Sequence, residues 1–85
     1  MSAEEMKQQV AAARESANTA AGHLQQAAGE AEQSLGLLEQ VAHGTGNDKA
    51  ENAVATLMEA RERIGQAMEL IHTAMAEAEG YAALL

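Results

Sequence analysis

The second half of the chain repeats apolar residues at intervals of seven. One column is entirely aliphatic, namely Leu57, Ile64, Ile71, Ala78 and Leu85. A second column from Ala53 to Tyr81 and a third from Val54 to Met75 lie beside it. The resulting spacings of three and four are typical of an α-helix that packs one side against a neighbouring helix. The pattern predicts one long helix over about residues 48–84.

The first half follows the same alternation of three and four from Met6 to Val41. Ser2 with Glu5 three residues later predicts a capping box at the helix start, and the chain has no Pro to interrupt the helix. We therefore expect a helix over about residues 3–43. One stripe carries Gly22, Gly29 and Gly36. It is either a site of close backbone approach or three glycines tolerated in a long helix.

The two helical segments are separated by a short stretch rich in glycine and polar residues. Gly44 is expected to be the left-handed residue after the first helix, and Gly46 to carry the turn. Asp48 with Glu51 predicts a second capping box, with Asn47 as the competing cap. A turn over about residues 44–47 is short enough to force the helices side by side and antiparallel. The predicted fold is all-α, a single two-helix hairpin domain over residues 1–85.

The expected turn also predicts which residues face each other across the hairpin. Opposing residues should have numbers that add to about 91 if the turn pairs Val41 or His43 with residues near 48–50. Arg61 would then face Glu30, and Arg14 would face Glu77.

Two helices with an Ala-rich seam bury little apolar surface, so we expect a second chain to cover part of the hairpin. The simplest closed arrangement is a dimer of coiled-coil-like hairpins that forms a four-helix bundle, either with itself or with a similar hairpin. A monomer with a modestly apolar side is the alternative. The predicted interface residues lie on the second helix: Val54, Met58, Met68, Met75 and Tyr81.

The net charge of the chain argues against some classes of partner. The chain carries 13 acidic and 5 basic residues, for a net charge of −8. Nucleic-acid binding requires clustered Lys and Arg, so no nucleic-acid partner is expected. No apolar run is long enough to insert into a membrane. The acidic N-terminal stretch lacks the pattern of a signal peptide. We expect a cytoplasmic chain, or one exported without a cleavable signal peptide.

Few residues of the chain suggest a metal-binding or catalytic site. Glu69 and His72 have the Glu-x-x-His spacing of carboxylate di-iron bundles, which need further acids from neighbouring helices. A metal-binding bundle is therefore the alternative function. The chain has no Cys, and no nucleophile–base set or phosphate-binding loop can be assembled from it. We expect no cofactor and no enzymatic activity, and we interpret the chain as a hairpin for assembly, adaptor or secretion-linked work.

Two long helices joined by the turn His43-Gly44-Thr45-Gly46 resemble the WXG-type, early-secreted-antigen-like hairpins of type VII secretion in Gram-positive bacteria. That family carries Trp-x-Gly in its turn, and this chain has no Trp. In that family, the chain or its partner often ends with a Tyr that is followed four residues later by an acidic residue. In this chain Tyr81 is followed at that position by Leu85.

The segment "IGQAMELIHTAMAEAEGYAALL", residues 64–85, is similar to the end pattern of Ala/Glu/Gln-rich hairpins of actinobacteria. Those hairpins occur alone or at the N-terminus of polymorphic toxins. The resemblance implies a pairing or delivery module rather than a toxic domain.

Overall fold

The computed structural model describes residues 1–85 and contains two α-helices and no strand. Helix α1 spans Ala3–Thr45 and helix α2 spans Asp48–Ala82. They lie antiparallel as a rod of 62 × 15 × 15 Å. The predicted all-α hairpin is confirmed, while its pairing into a four-helix bundle stays a prediction.

A reciprocal capping box begins α1. The Glu5 backbone N–H donates to Ser2 Oγ at 3.1 Å, and the Ser2 backbone N–H donates to the Glu5 carboxylate at 3.4 Å. Glu4 and Glu5 both lie in the first turn. Their negative charges face the partial positive charge of the helix N-terminus, which stabilises this end of the helix.

The turn differs from the prediction. Helix α1 continues through Gly44 to Thr45, and the left-handed residue is Gly46, with φ 61° and ψ 18°. The Gly46 N–H donates to the Ala42 carbonyl at 2.9 Å. The assignment of the left-handed position to Gly44 was therefore wrong. Either glycine can adopt positive φ, but the link between the helices needs only one such residue, and it is the one beside the next helix cap.

Asn47 rather than Asp48 caps α2. Asn47 is extended, and its side-chain oxygen accepts a hydrogen bond from the Lys49 N–H at 2.8 Å. Asp48 is already the first helical residue, so the predicted Asp48–Glu51 capping box does not form. Both acids lie instead in the first turn of α2, near the positive end of its dipole.

The two-residue link sets the register of the hairpin. Arg61 pairs with Glu32 at 2.9 Å and Arg14 with Glu79 at 3.1 Å, so opposing numbers add to 93. The predicted partners Glu30 and Glu77 were wrong by two residues. The cause is the turn, because its centre lies between Gly46 and Asn47 rather than one residue earlier. Arg61 still finds a carboxylate across the seam.

The open end of the rod is uneven because α1 has 43 residues and α2 has 35. Helix α2 ends at Ala82, two residues before the expected end, and Leu84 and Leu85 N–H groups donate to carbonyls three residues back. The last turn has no basic residue, and its C-cap is Ala83 in the right-handed conformation rather than a glycine in the left-handed one. The Tyr81 hydroxyl donates to the Met6 sulfur at 3.6 Å and joins α2 to the overhanging start of α1.

The core between the helices is thin. Leu35 is the only buried residue, at 3 % exposure. The other seam residues are half-buried, and many of them are alanines. An isolated pair of cylinders shares one line of contact, so most of each helix remains in water.

Candidate interaction surface

The seam does not follow one heptad column along the whole rod. We label heptad positions a to g, with a at Val10 in α1 and at Leu57 in α2. Position d is half-buried at Ala20 and Ala27 but exposed at Val41. The same change occurs in α2 along the series at position d, where residues 53, 60 and 67 are half-buried and residues 74 and 81 are exposed.

This change has a simple geometric cause. A straight α-helix with 3.6 residues per turn falls about 20° behind a seven-residue repeat in each heptad. Near the end of α1 the contact lies at positions a and e. In α2 position e is half-buried throughout, and position d is half-buried only as far as Ala67. The apolar residues at d then turn out of the seam on one side of the hairpin.

On the ion-pair flank, which comprises positions b and e of both helices, ion pairs connect the two helices. Arg14–Glu79 lies towards the open end and Arg61–Glu32 lies nearer the turn, and each pair bridges the two helices. The apolar residues at position e, of which Leu35 is buried, complete the contact between the two helices on this side. In an antiparallel pair, positions e and b of one helix lie on the same side as e and b of the other, so these contacts identify one side of the rod.

The neutral flank, which comprises positions d and g of both helices, is the opposite side. No ion pair crosses between the helices there, since Arg63 pairs with Glu59 on its own helix. Most of the exposed large apolar side chains inside the helices lie here, and Leu70 is 69 % exposed. The exposed apolar members of the neutral flank are Ala13, Leu37, Val41, Leu70, Ala74 and Tyr81, and Leu84 follows just beyond the end of α2.

The five predicted interface residues separate into two groups. Val54, Met68 and Met75 are half-buried at position e, against α1 of the same chain. Met58 and Tyr81 are exposed, at 45 % and 52 %. Met58 lies on the ion-pair flank and Tyr81 on the neutral flank, so the hairpin does not bring the five together on one surface.

The candidate metal ligands Glu69 and His72 are both exposed on α2. Glu69 lies at position f, on the outer side of α2, and His72 lies at position b, on the ion-pair flank defined above. No group of three or more His, Asp, Glu or Cys side chains has an arrangement that could hold a metal ion. An open recess beside the turn is lined in part by Glu39, His43 and Glu51, and these groups do not converge either.

The glycine stripe of α1 lies at position f, on the outer side of the rod. A Cβ atom added at Gly22, Gly29 or Gly36 would meet nothing within 4 Å. The second helix of the hairpin therefore makes no close approach to this stripe.

The exposed residues Leu37, Val41, Leu70 and Leu84 were not predicted as interface residues. The spacing of four between Leu37 and Val41 is visible in the sequence, as are the spacings of four from Leu70 to Ala74 and of eleven from Leu70 to Tyr81. The pattern alone does not say that the two helices present them on one side, because this depends on the register and on the antiparallel pairing of positions d and g.

Comparison of the chain with protein-family models, curated proteins and solved structures gives no match. Neither helix combines the length and hydropathy that a membrane-spanning segment requires.

Proposed function

We propose that this protein is a non-enzymatic helical hairpin whose function is to pair with another helical hairpin, in the first instance a second copy of itself. The observation that carries the proposal is the burial pattern, in which Leu35 alone is removed from water while Leu70 and Leu84 are largely exposed. Two helices of this length order many residues, and a single buried leucine offsets little of that entropy.

The exposed surface area supports the same conclusion. The hairpin exposes 6188 Å². A compact monomer of 8.9 kDa is expected to expose about 4,800 Å². The excess is roughly 1,400 Å² on each chain, more than the about 800 Å² that each partner contributes to a protein–protein interface of standard size.

The shape of the exposed apolar surface indicates what kind of protein would bind it. A straight rod with exposed apolar residues at heptad spacing is complementary to another pair of helices, since ridges and grooves of the same spacing interlock. A four-helix bundle places all four apolar sides around one core.

Sedimentation equilibrium between about 1 and 500 µM tests the proposal, a range that brackets the affinities typical of modest interfaces. We expect reversible association with a mass approaching twice 8.9 kDa at the higher concentrations. Circular dichroism on the same samples reports helix content. A chain that keeps the mass of one protomer throughout, yet unfolds cooperatively, would contradict the proposal.

A further inference from the structure

We infer that the partner is a second copy of this chain, bound through the neutral flank, with the turns of both hairpins at the same end of the bundle. The inference rests on the proposed pairing function and adds to it the surface, the occupant and the orientation.

The distribution of charge selects this flank. Its only charged residues are Glu30, Lys49, Arg63 and Glu77, so its net charge is zero. The whole net charge of −8 lies on the remaining sides of the rod. The outer side, at positions c and f, carries six acids and no base. The ion-pair flank has a net charge of −2 and the outer side −6, so two copies of the chain repel each other least through the neutral flank.

The flank is large enough for a stable dimer. One side of a rod measuring 62 × 15 Å has a projected area of roughly 900 Å², and a standard interface needs about 800 Å² from each partner. The flank runs along the length of both helices, so a face-to-face pair can use it from the turn to the open end.

Large and small residues alternate across the flank in a self-complementary way. At the register set by the ion pairs, Val41 is about level with Ala53, and Tyr81 is about level with Ala13. A two-fold axis along the rod places α1 of one copy on α2 of the other at the same level. Val41 and Tyr81 then each meet an alanine of the second copy, and Leu37 and Leu70 lie about level with the partner's Thr56 and His23.

The charges on the flank supply an ion pair in the orientation that this alternation favours. Glu30 and Arg63 are level with each other, because their numbers also add to 93. With both turns at the same end, Glu30 of one copy faces the partner's Arg63, and the contact occurs twice. With the turns at opposite ends and the rods overlapping along their full length, α1 lies on α1 and α2 on α2. Glu30 is then about level with the partner's uncharged Ser16 and Ala20 and loses this ion pair, while Arg63 is about level with the partner's Glu77.

Paired substitutions of equal charge test the surface. Leu70→Glu changes an exposed residue of the neutral flank, and Met58→Glu changes an exposed residue of the ion-pair flank. We expect Leu70→Glu to weaken dimerisation at least about tenfold in sedimentation equilibrium, because the change occurs twice in the symmetric interface. Met58→Glu should leave the dissociation constant within about twofold of wild type. Circular dichroism confirms that both variants remain helical.

The possible results separate the two proposals. If the wild-type chain is monomeric at every concentration, the pairing function and the surface both fail. If the wild type dimerises but Met58→Glu weakens it as much as Leu70→Glu, or more, the pairing function stands and the neutral flank is wrong.

A charge exchange tests the orientation. Glu30→Arg should weaken the dimer about fivefold by facing the partner's Arg63, and adding Arg63→Glu should restore it. A single Glu30→Arg variant that dimerises as well as the wild type, or better, would indicate turns at opposite ends and overturn the orientation.

Discussion

Gly46 shows how one backbone conformation determines the geometry of the whole hairpin. It is the only residue with positive φ, and its N–H closes the last hydrogen bond of α1. Asn47 follows at once as the extended cap of α2. The reversal therefore needs two residues, and the positions of all opposing side chains follow from its centre.

We predict opposite effects of alanine at the two glycines of the turn. Gly46→Ala should lower the free energy of unfolding by about 1–2 kcal/mol, because alanine is strained in the left-handed conformation. Gly44→Ala should raise it by about 0.5 kcal/mol, because Gly44 is helical and alanine has the higher helix propensity. Urea denaturation followed by circular dichroism measures both. The reverse order would mean that Gly44 is the left-handed residue in solution.

The charged pairs across the seam report the register residue by residue. Arg61→Glu should destabilise the hairpin by about 0.5 kcal/mol, and adding Glu32→Arg should recover most of this loss. The effect is small because both side chains are more than one-third exposed. Glu30→Arg in place of Glu32→Arg should not recover it. Urea denaturation, at a concentration low enough that the chain is monomeric, measures the double-mutant cycle. Rescue by Glu30→Arg instead would restore the register first expected from the sequence.

At the scale of the helices, the heptad spacing predicted both elements and the antiparallel hairpin. The expected boundaries were wrong by two residues at the end of each helix. At the end of α1, Gly44 and Gly46 are chemically alike, and only the assembled link shows which adopts positive φ. At the end of α2, the sequence remains favourable for helix, but α2 has no residue suited to cap its final carbonyls.

The glycines of α1 offer a second test at this scale. Replacing Gly22, Gly29 and Gly36 together with alanine should stabilise the protein by about 2–3 kcal/mol, since each glycine lowers helix stability by roughly 1 kcal/mol. Space for each added methyl is open. Thermal denaturation by circular dichroism measures the gain. If the triple variant is no more stable but associates more weakly, the stripe is a contact surface for another chain.

At the scale of the whole molecule, stability and association should be coupled. We predict that the thermal midpoint of the wild type rises by about 5–10 °C between 2 and 200 µM, because a dimer binds only the folded chain. The Leu70→Glu variant should show a smaller rise than Met58→Glu. Melting curves recorded by circular dichroism in cells of different path length measure this effect. Identical midpoints at both concentrations would indicate a hairpin that is stable alone.

The candidate surface was less predictable than the fold. An apolar third column at Val54, Met68 and Met75 indicated a helix with a wide apolar side. The structure places these residues half-buried against α1. Near the end of each helix, position d leaves the contact between the helices, which exposes Tyr81 and Val41 on the neutral flank. This depends on the difference between 3.5 and 3.6 residues per turn, accumulated over several heptads.

The amino-acid sequence by itself determined two long amphipathic helices, the capped start of α1 and a reversal near residue 46, because spacing, helix propensity and capping act over a few neighbouring residues. The tertiary structure decided that the numbers of opposing residues add to 93 and that ion pairs bridge the helices on one flank. It also decided that the other flank has no net charge, because it carries two acids, Glu30 and Glu77, and two bases, Lys49 and Arg63. The reason is that these properties depend on how two distant segments are placed side by side. A shift of one residue in the centre of the turn changes every cross-helix pair by two residues while leaving the helices themselves unchanged.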